Sequence, residues 1–215
     1  MSKEAAMEPE LIDVPERIDT EHLVLRCPRR GDGALVNAAV AESLAELGPW
    51  MPWAGSAPTL DESEAHCRRQ QGRFILREDL VMFIFARDAS GNEGELLGGT
   101  GLHRIDWTLR KFEIGYWRRT GREGRGIVTE AVIAMARMAF DQLDARRVEI
   151  RVDDDNQRSW KVAERAGFTL EALLRFDSVS PRNEPRSTRV YARVRGAEEP
   201  MGAAVEKAAT SAGGV

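Results

Sequence analysis

Apolar residues recur along this chain with two different periods, and these periods predict the order of its secondary-structure elements. Short runs that are continuously apolar, or apolar at every second position, predict strands, whereas apolar spacings of three and four predict helices. Seven strands are predicted in this way, at residues 17–27, 80–87, 95–107, 111–117, 146–152, 168–176 and 188–194. Four helices are predicted, at residues 34–47, 61–76, 129–143 and 157–166.

The predicted order is one strand, two helices, three strands, then helix, strand, helix and two strands. This order is typical of an α/β or α+β domain with a mixed sheet. Either Thr59 or Asp61 is a suitable N-cap for the second helix. We expect a single domain over residues 15–195, preceded by a loose segment at 1–14 and followed by a disordered tail at 196–215.

Composition and charge narrow the class of protein. Hydrophobic residues make up 42% of the chain, yet no apolar run approaches membrane-spanning length and residues 1–16 are acidic, so we expect a cytoplasmic protein. The formal net charge of −4 does not favour non-specific nucleic-acid binding. Cys27 and Cys67 are too few for a disulfide framework and are interpreted as packing residues, and no Cys/His cluster indicates a metal site.

The most informative stretch is the turn between the strand at 111–117 and the helix at 129–143, which contains Gly121, Gly124 and Gly126. Glycines let the backbone curl so that several N–H groups point in one direction. A helix start adds partial positive charge and further free N–H groups. The turn therefore indicates a seat for a phosphate or pyrophosphate. A purely structural turn is the alternative interpretation.

Details of this turn disfavour two other kinds of nucleotide site. A P-loop needs Lys and then Ser or Thr after its last glycine, but Gly126 is followed by Ile127 and Val128. A dinucleotide-binding turn needs a third glycine where Thr129 stands, and it belongs to an early βαβ unit. The remaining interpretation is a phosphate seat of another family.

A second group of polar residues lies at the start of the fourth predicted helix. Asn156 follows a strand end and stands where an N-cap belongs, and Ser159 comes one turn later. A cap and an exposed polar side chain are one interpretation of this pair. Contact with a phosphate-bearing ligand is the other, because both residues are expected at the same end of the sheet as the glycine turn.

Four motifs, in this order, resemble the GNAT N-acetyltransferase superfamily, and within it the RimJ/RimL-like branch that acetylates protein N-termini. They are TEHLVLR at residues 20–26, FEIGYW at 112–117, GRGIVTEA at 124–131 and NQRSWKVAERAGF at 156–168. The resemblance covers roughly residues 15–195. It implies the GNAT fold, a mixed, mostly antiparallel central sheet of about seven strands flanked by about four helices.

The resemblance also implies acetyl-CoA as co-substrate and no metal. The pyrophosphate would lie on the glycine turn, and the pantetheine arm between the strands at 111–117 and 146–152. The implied cofactor-binding residues are Tyr116, Trp117, Arg122, Gly124, Arg125, Gly126, Ile127, Val128, Thr129, Asn156 and Ser159. The chain departs from the family at Gly121, where a Gln or Arg side-chain donor is usual, unless Arg122 replaces it.

Three chemical roles need residues. Many family members protonate the CoA thiolate with a Tyr that is Ala163 here, but the branch lacks this Tyr and uses the serine of Asn-x-x-Ser, which makes Ser159 the candidate acid. A base or water relay must take the proton of the attacking amine. Glu113 and His103 are the candidate bases, and a structural role is the alternative for each. A backbone N–H near Tyr116 is the candidate donor to the oxyanion.

Trp50 and Trp53 lie in a proline-broken loop, where at least one of them is expected to be a core residue. The resemblance places this loop near the acceptor mouth, so both are also candidate substrate-binding residues. The branch implies a protein N-terminal amine as acceptor, and homodimers are common in it. A small amine (an antibiotic, polyamine or amino acid) is an alternative acceptor. A non-catalytic CoA-binding interaction protein is an alternative function.

Overall fold

The computed structural model describes residues 8–122 and 126–198, which form one eight-stranded sheet with four α-helices. The strands are β1 (Arg17–Asp19), β2 (Leu23–Arg26), β3 (Leu80–Arg87), β4 (Glu93–Asp106), β5 (Lys111–Arg118), β6 (Arg147–Asp153), β7 (Thr169–Val179) and β8 (Pro185–Val194). The helices are α1 (Gly33–Leu47), α2 (Leu60–Ile75), α3 (Ile127–Asp141) and α4 (Gln157–Arg165). Two single 3₁₀ turns, Pro9–Leu11 and Pro52–Ala54, complete the described elements.

The strand order is β1-β2-β3-β4-β5-β6-β8-β7, and every neighbouring pair is antiparallel except β5 and β6. Those two strands are parallel because α3 carries the chain from the end of one back to the start of the other. Their pairing covers only Lys111↔Arg147, Phe112↔Val148 and Glu113↔Glu149. Beyond Glu113 the described residues of β5 have no register partner on β6, so the two strands separate and leave a gap.

The sheet has a hydrophobic core on each face, as the alternation along β3 shows. Leu80, Met82 and Ile84 belong to the larger core, which includes the buried face of α3 and residues of α4. Phe83 and Phe85 belong to a smaller core with Val36, Ala39 and Val40 of α1. The layers are therefore helices α1 and α2, the sheet, and helices α3 and α4.

The predicted class of fold is confirmed, and the strand count is eight because the segment predicted as one strand at 17–27 is a hairpin. β1 and β2 pair antiparallel around the turn that contains Thr20 and His22. Glu130 of α3 accepts hydrogen bonds from Thr20 Oγ1 at 2.6 Å and from the His22 backbone N–H at 3.0 Å. A carboxylate more than a hundred positions away thus fixes the turn, which a local pattern does not reveal.

Two boundaries are sharper in the structure than in the sequence. Thr59 caps α2: its side chain accepts from the Glu62 N–H while Glu62 accepts from the Thr59 N–H, a capping box. Packing begins before the predicted start of the domain, because Val14 is buried in the larger core. Among the described helices none is long and apolar enough to cross a membrane.

The two cysteines are buried packing residues without a disulfide. Burial raises the pKa of both thiols, that of Cys67 to about 12. Because the thiolate is the reactive form, we expect a thiol reagent such as DTNB to leave the native protein unmodified at mildly alkaline pH. In denaturant, both thiols should react. Rapid modification of either cysteine in the native protein would contradict this packing.

Candidate active site

The gap between β5 and β6 brings Tyr116 against the start of α4. The Tyr116 hydroxyl donates to the Ser159 backbone carbonyl at 2.9 Å and accepts from Ser159 Oγ at 3.2 Å. Burial is the main cause that raises the pKa of Tyr116 to about 12, so the phenol is neutral and remains a donor. The sequence-predicted residues Tyr116 and Ser159, far apart in the chain, therefore meet at this gap.

The start of α4 is ordered by the cap that its sequence predicts. Asn156 Oδ1 accepts from the Ser159 backbone N–H at 3.1 Å, so the side chain of Asn156 caps the helix. The bond uses the carboxamide oxygen and leaves the amide N–H groups of Asn156 available to a ligand. Capping and ligand contact are therefore compatible roles for this residue.

The start of α3 lies at the end of the glycine turn. Gly126 is the N-cap residue with φ of +66°, a left-handed conformation that glycine adopts without steric cost. The N–H groups of Ile127, Val128 and Thr129 belong to the first turn, whose donors have no partner within the helix. Free N–H groups at a helix start are typical of an anion-binding site. The predicted ligands Gly124 and Arg125 lie outside the described residues.

Arginines near this turn are held by carboxylates. Arg122 Nε donates to Glu95 at 2.8 Å, and Arg119 Nε donates to Glu42 at 2.7 Å. Gly121 has φ of +76°, so it serves the turn itself and supplies no side-chain donor. For Arg122 to replace that donor, its side chain would have to exchange Glu95 for a ligand phosphate.

A cavity of about 460 Å³ opens on the opposite face of the sheet, between α1, α2 and strands β3 to β5. Its apolar walls are Val36, Val40, Met51, Trp53, Pro58, Val81, Phe83 and Trp117. Its polar lining is Glu62, Ser63, His66, Gln70, Thr100, His103 and Tyr116. Gly99 and Gly115 complete the lining. The cavity and the β5–β6 gap thus share the segment of β5 at Gly115, Tyr116 and Trp117.

Helix α2 supplies four polar lining residues that the sequence interpretation did not assign to a site. These residues share one face of the helix, because they lie one, four and eight positions after the first of them. They are Glu62, Ser63, His66 and Gln70. Burial lowers the pKa of His66, which favours its neutral form. Gln70 Oε1 is buried without a hydrogen-bond partner among the described residues. The spacing in the sequence was enough to indicate a polar face on α2. Only the structure shows that this face borders a cavity.

The two candidate bases differ in their surroundings. His103 lines the cavity, and its Nδ1 lies 2.6 Å from Asp79 Oδ1. Glu113 does not line the cavity and accepts from Arg104 at 2.7 Å. The structure therefore places Glu113 in the ion pair that was its alternative role, and His103 beside the open space.

The two tryptophans of the proline-broken loop lie in different surroundings. Trp53 lines the cavity and packs edge to face on Trp117, with ring centroids 6.1 Å apart. Trp50 is not among the lining residues, and the Arg186 guanidinium lies 4.9 Å from its ring centroid. Trp53 is thus the one of the two predicted substrate residues that reaches the cavity, because Trp50 turns toward β8.

The family model of the acetyltransferase (GNAT) domain matches residues 22–169. This is more than half of the chain, which therefore belongs to the GNAT family and is an N-acetyltransferase. Among the described residues, no group of three or more His, Cys, Asp or Glu side chains is arranged to hold a metal ion.

Relatives and solved structures agree with this family. The chain is 31% identical to YdaF of Bacillus subtilis (strain 168), over 72% of this chain and 82% of that protein. The name of YdaF describes a ribosomal N-acetyltransferase. The fold resembles Mycobacterium smegmatis RimJ in complex with CoA-disulfide, with a TM-score of 0.78 and 21% identity over 94% of this chain and 98% of that one. It also resembles RimL, a ribosomal L7/L12 alpha-N-protein acetyltransferase in complex with coenzyme A, with a TM-score of 0.75 and 23% identity over 86% and 99% of the two chains.

Proposed function

We propose that this enzyme transfers an acetyl group from acetyl-CoA directly to a primary amine, and that the amine is a protein N-terminus. The observation that carries the proposal is the shared segment of β5 at Gly115, Tyr116 and Trp117. On one side this segment borders the β5–β6 gap and Ser159, and on the other it borders the cavity. A thioester in the gap and an amine in the cavity would meet there.

The donor half of the proposal rests on the two helix starts beside the gap. The first-turn N–H groups of α3 and the left-handed Gly126 suit the CoA pyrophosphate. Asn156 at the start of α4 suits the pantetheine arm, whose amides need hydrogen-bond partners. Separation of β5 from β6 beyond Glu113 provides room for that arm.

The acceptor half rests on the cavity and on the names of relatives. YdaF and RimL are named for acetylation of ribosomal proteins, which supports a protein N-terminal amine. The apolar walls would hold the first side chain, and Gln70 Oε1 offers an acceptor for an N–H of the substrate. A cavity of about 460 Å³ is also within the range of small-molecule sites, which favours a small amine as the second candidate acceptor.

Ser159 is the residue that we assign to the leaving thiolate. Its hydroxyl lies at the gap and is held by the neutral Tyr116 hydroxyl, so a small rotation of Oγ would redirect the proton toward sulfur. Ala163, at the position of the family's usual Tyr, is fully buried and carries no donor. The pair Tyr116 and Ser159 thus provides the hydroxyl that Ala163 cannot.

Acetyl-CoA should bind and be turned over. At 100 times its Kd, a ligand that binds only the folded state stabilises it by about 2.7 kcal/mol, so a clear rise in Tm is expected. Free CoA thiol should then appear when a peptide with a free N-terminus is added, and the same peptide with a blocked N-terminus should give none. A rise in Tm without thiol release from any peptide or small amine would leave a CoA-binding protein and refute the transferase proposal.

Replacement Ser159→Ala should lower kcat by about 100-fold, the usual contribution of a proton-transfer group. The KM for acetyl-CoA should change much less, because the Asn156 cap accepts from the backbone N–H of residue 159 and survives the change. Ser90→Ala, in the exposed β3–β4 turn, is the matched control. An unchanged kcat in Ser159→Ala removes the hydroxyl from the chemistry.

Replacement Val81→Phe should narrow the cavity from the sheet side and raise the KM for the acceptor by about tenfold or more. The KM for acetyl-CoA serves as the internal reference, since the start of α3 lies on the other face of the sheet. Val179→Phe, an exposed position on β7, is the matched control for the same change. If both KM values stay constant in a folded Val81→Phe protein, the cavity does not hold the acceptor.

A further inference from the structure

We propose that His103 takes the proton of the acceptor amine through its Nε2, and that Asp79 is the positioning residue that holds His103 in the required tautomer. The inference rests on the proposed acetyl transfer and deepens it. The observation behind it is a buried carboxylate bound to one nitrogen of a histidine whose other nitrogen lies at the shared segment of β5. Asp79 precedes β3 and belongs to none of the sequence motifs.

The Asp79 carboxylate is built into this position. Asp79 is 7% exposed, and its two oxygens have different partners: Oδ1 lies 2.6 Å from His103 Nδ1, and Oδ2 lies 3.3 Å from Arg73 of α2. A carboxylate accepts, so Nδ1 carries the hydrogen. In the neutral imidazole the lone pair is then on Nε2.

Two glycines fix where Nε2 lies. Gly101 and Gly115 are directly opposed on β4 and β5, and the His103 ring leans across this pair. A Cβ at position 115 would lie 2.9 Å from His103 Nε2, and a Cβ at position 101 would lie 3.1 Å from its Cε1. Any larger residue at 115 would displace the ring. Nε2 is thereby held against the backbone of β5 just beyond Glu113, where β5 leaves β6.

The ring is nevertheless accessible. About a third of the His103 side chain is exposed (34%), and the residue lines the cavity proposed for the acceptor. Glu113, the directly opposed residue on β5, is 15% exposed at its side chain and bound to Arg104. Glu113 is also absent from the cavity lining, whereas His103 is part of it.

The step balances without a further reactant. The nitrogen of the neutral amine forms a bond to the thioester carbonyl carbon, and the carbon–sulfur bond breaks as the tetrahedral intermediate collapses. One proton of the nitrogen passes to His103 Nε2. Ser159 Oγ gives its proton to the departing sulfur, which leaves as the CoA thiol, and Ser159 takes a proton back from water. The imidazolium returns its proton to water, so no net proton or electron is consumed.

The test measures kcat and both KM values in Asp79→Asn and His103→Ala. Both changes should lower kcat at least tenfold, as for loss of a proton-transfer group, with little change in the KM for acetyl-CoA. Added imidazole should restore part of the activity of His103→Ala, because it supplies the missing base. It should not restore Asp79→Asn, where the His103 ring still fills the site in the wrong tautomer.

Gly115→Ala provides an independent route if Asp79→Asn does not fold, since it displaces the ring and leaves Asp79 intact. It should lower kcat in the same way. Ser90→Ala, in the exposed β3–β4 turn, is the control variant and should retain the wild-type kcat. Wild-type kcat in His103→Ala, or absence of imidazole rescue in a folded His103→Ala protein, overturns the inference. Absence of turnover by the wild-type enzyme, with acetyl-CoA still raising the Tm, refutes the transferase proposal instead, so the two failures are distinguishable.

Discussion

The early separation of β5 from β6 is the constraint on which the rest of the site depends. Parallel strands in a continuous sheet stay hydrogen-bonded along their length, yet these two pair at only three positions. The separation exposes the edge of β5 beside α4 and allows Tyr116 to reach Ser159. Without it, the two helix starts and the cavity would be divided by a closed sheet.

Close packing of rings against β4 and β5 explains why glycines cluster in these strands. Strands gain stability from packed side chains, so glycine in a strand needs a reason. Here the reason is close approach: a Cβ at Gly99 would lie 2.5 Å from Trp117 Nε1, and one at Gly115 would meet the His103 ring. Gly99 and Gly115 make room for the aromatic and imidazole rings that border the cavity.

Sequence periodicity located every helix and strand of the described chain to within a few residues, apart from the split of the first strand. The fold class followed from the order of these elements, and the family from motifs that lie on β2, β5 and α4 and at the start of α3. The cap at Asn156 was also predicted, because a cap depends on neighbours in the chain. The roles of Ser159, Glu113 and His103 in the reaction stay predictions.

Contacts between distant segments were beyond the reach of periodicity. The β1–β2 hairpin depends on Glu130 of α3, and the position of His103 depends on Asp79. The polar face of α2 was visible as a spacing, but a polar helix face is ordinarily solvated, and its place beside a cavity depends on α1 and β3. Local sequence thus predicted the helices and strands. Which side chains contact one another within the site depends on the folded chain.

The two faces of the sheet have a consequence for how such an enzyme can diversify. Helices α1 and α2 line the cavity, whereas α3 and α4 begin beside the β5–β6 gap, and residues 115–117 of β5 border both spaces. Under the proposed function, changes in α1 and α2 would therefore alter which amine is accepted and leave the helix starts proposed to bind the donor unchanged. A single scaffold can in this way give rise to a lineage of enzymes with one donor and many acceptors.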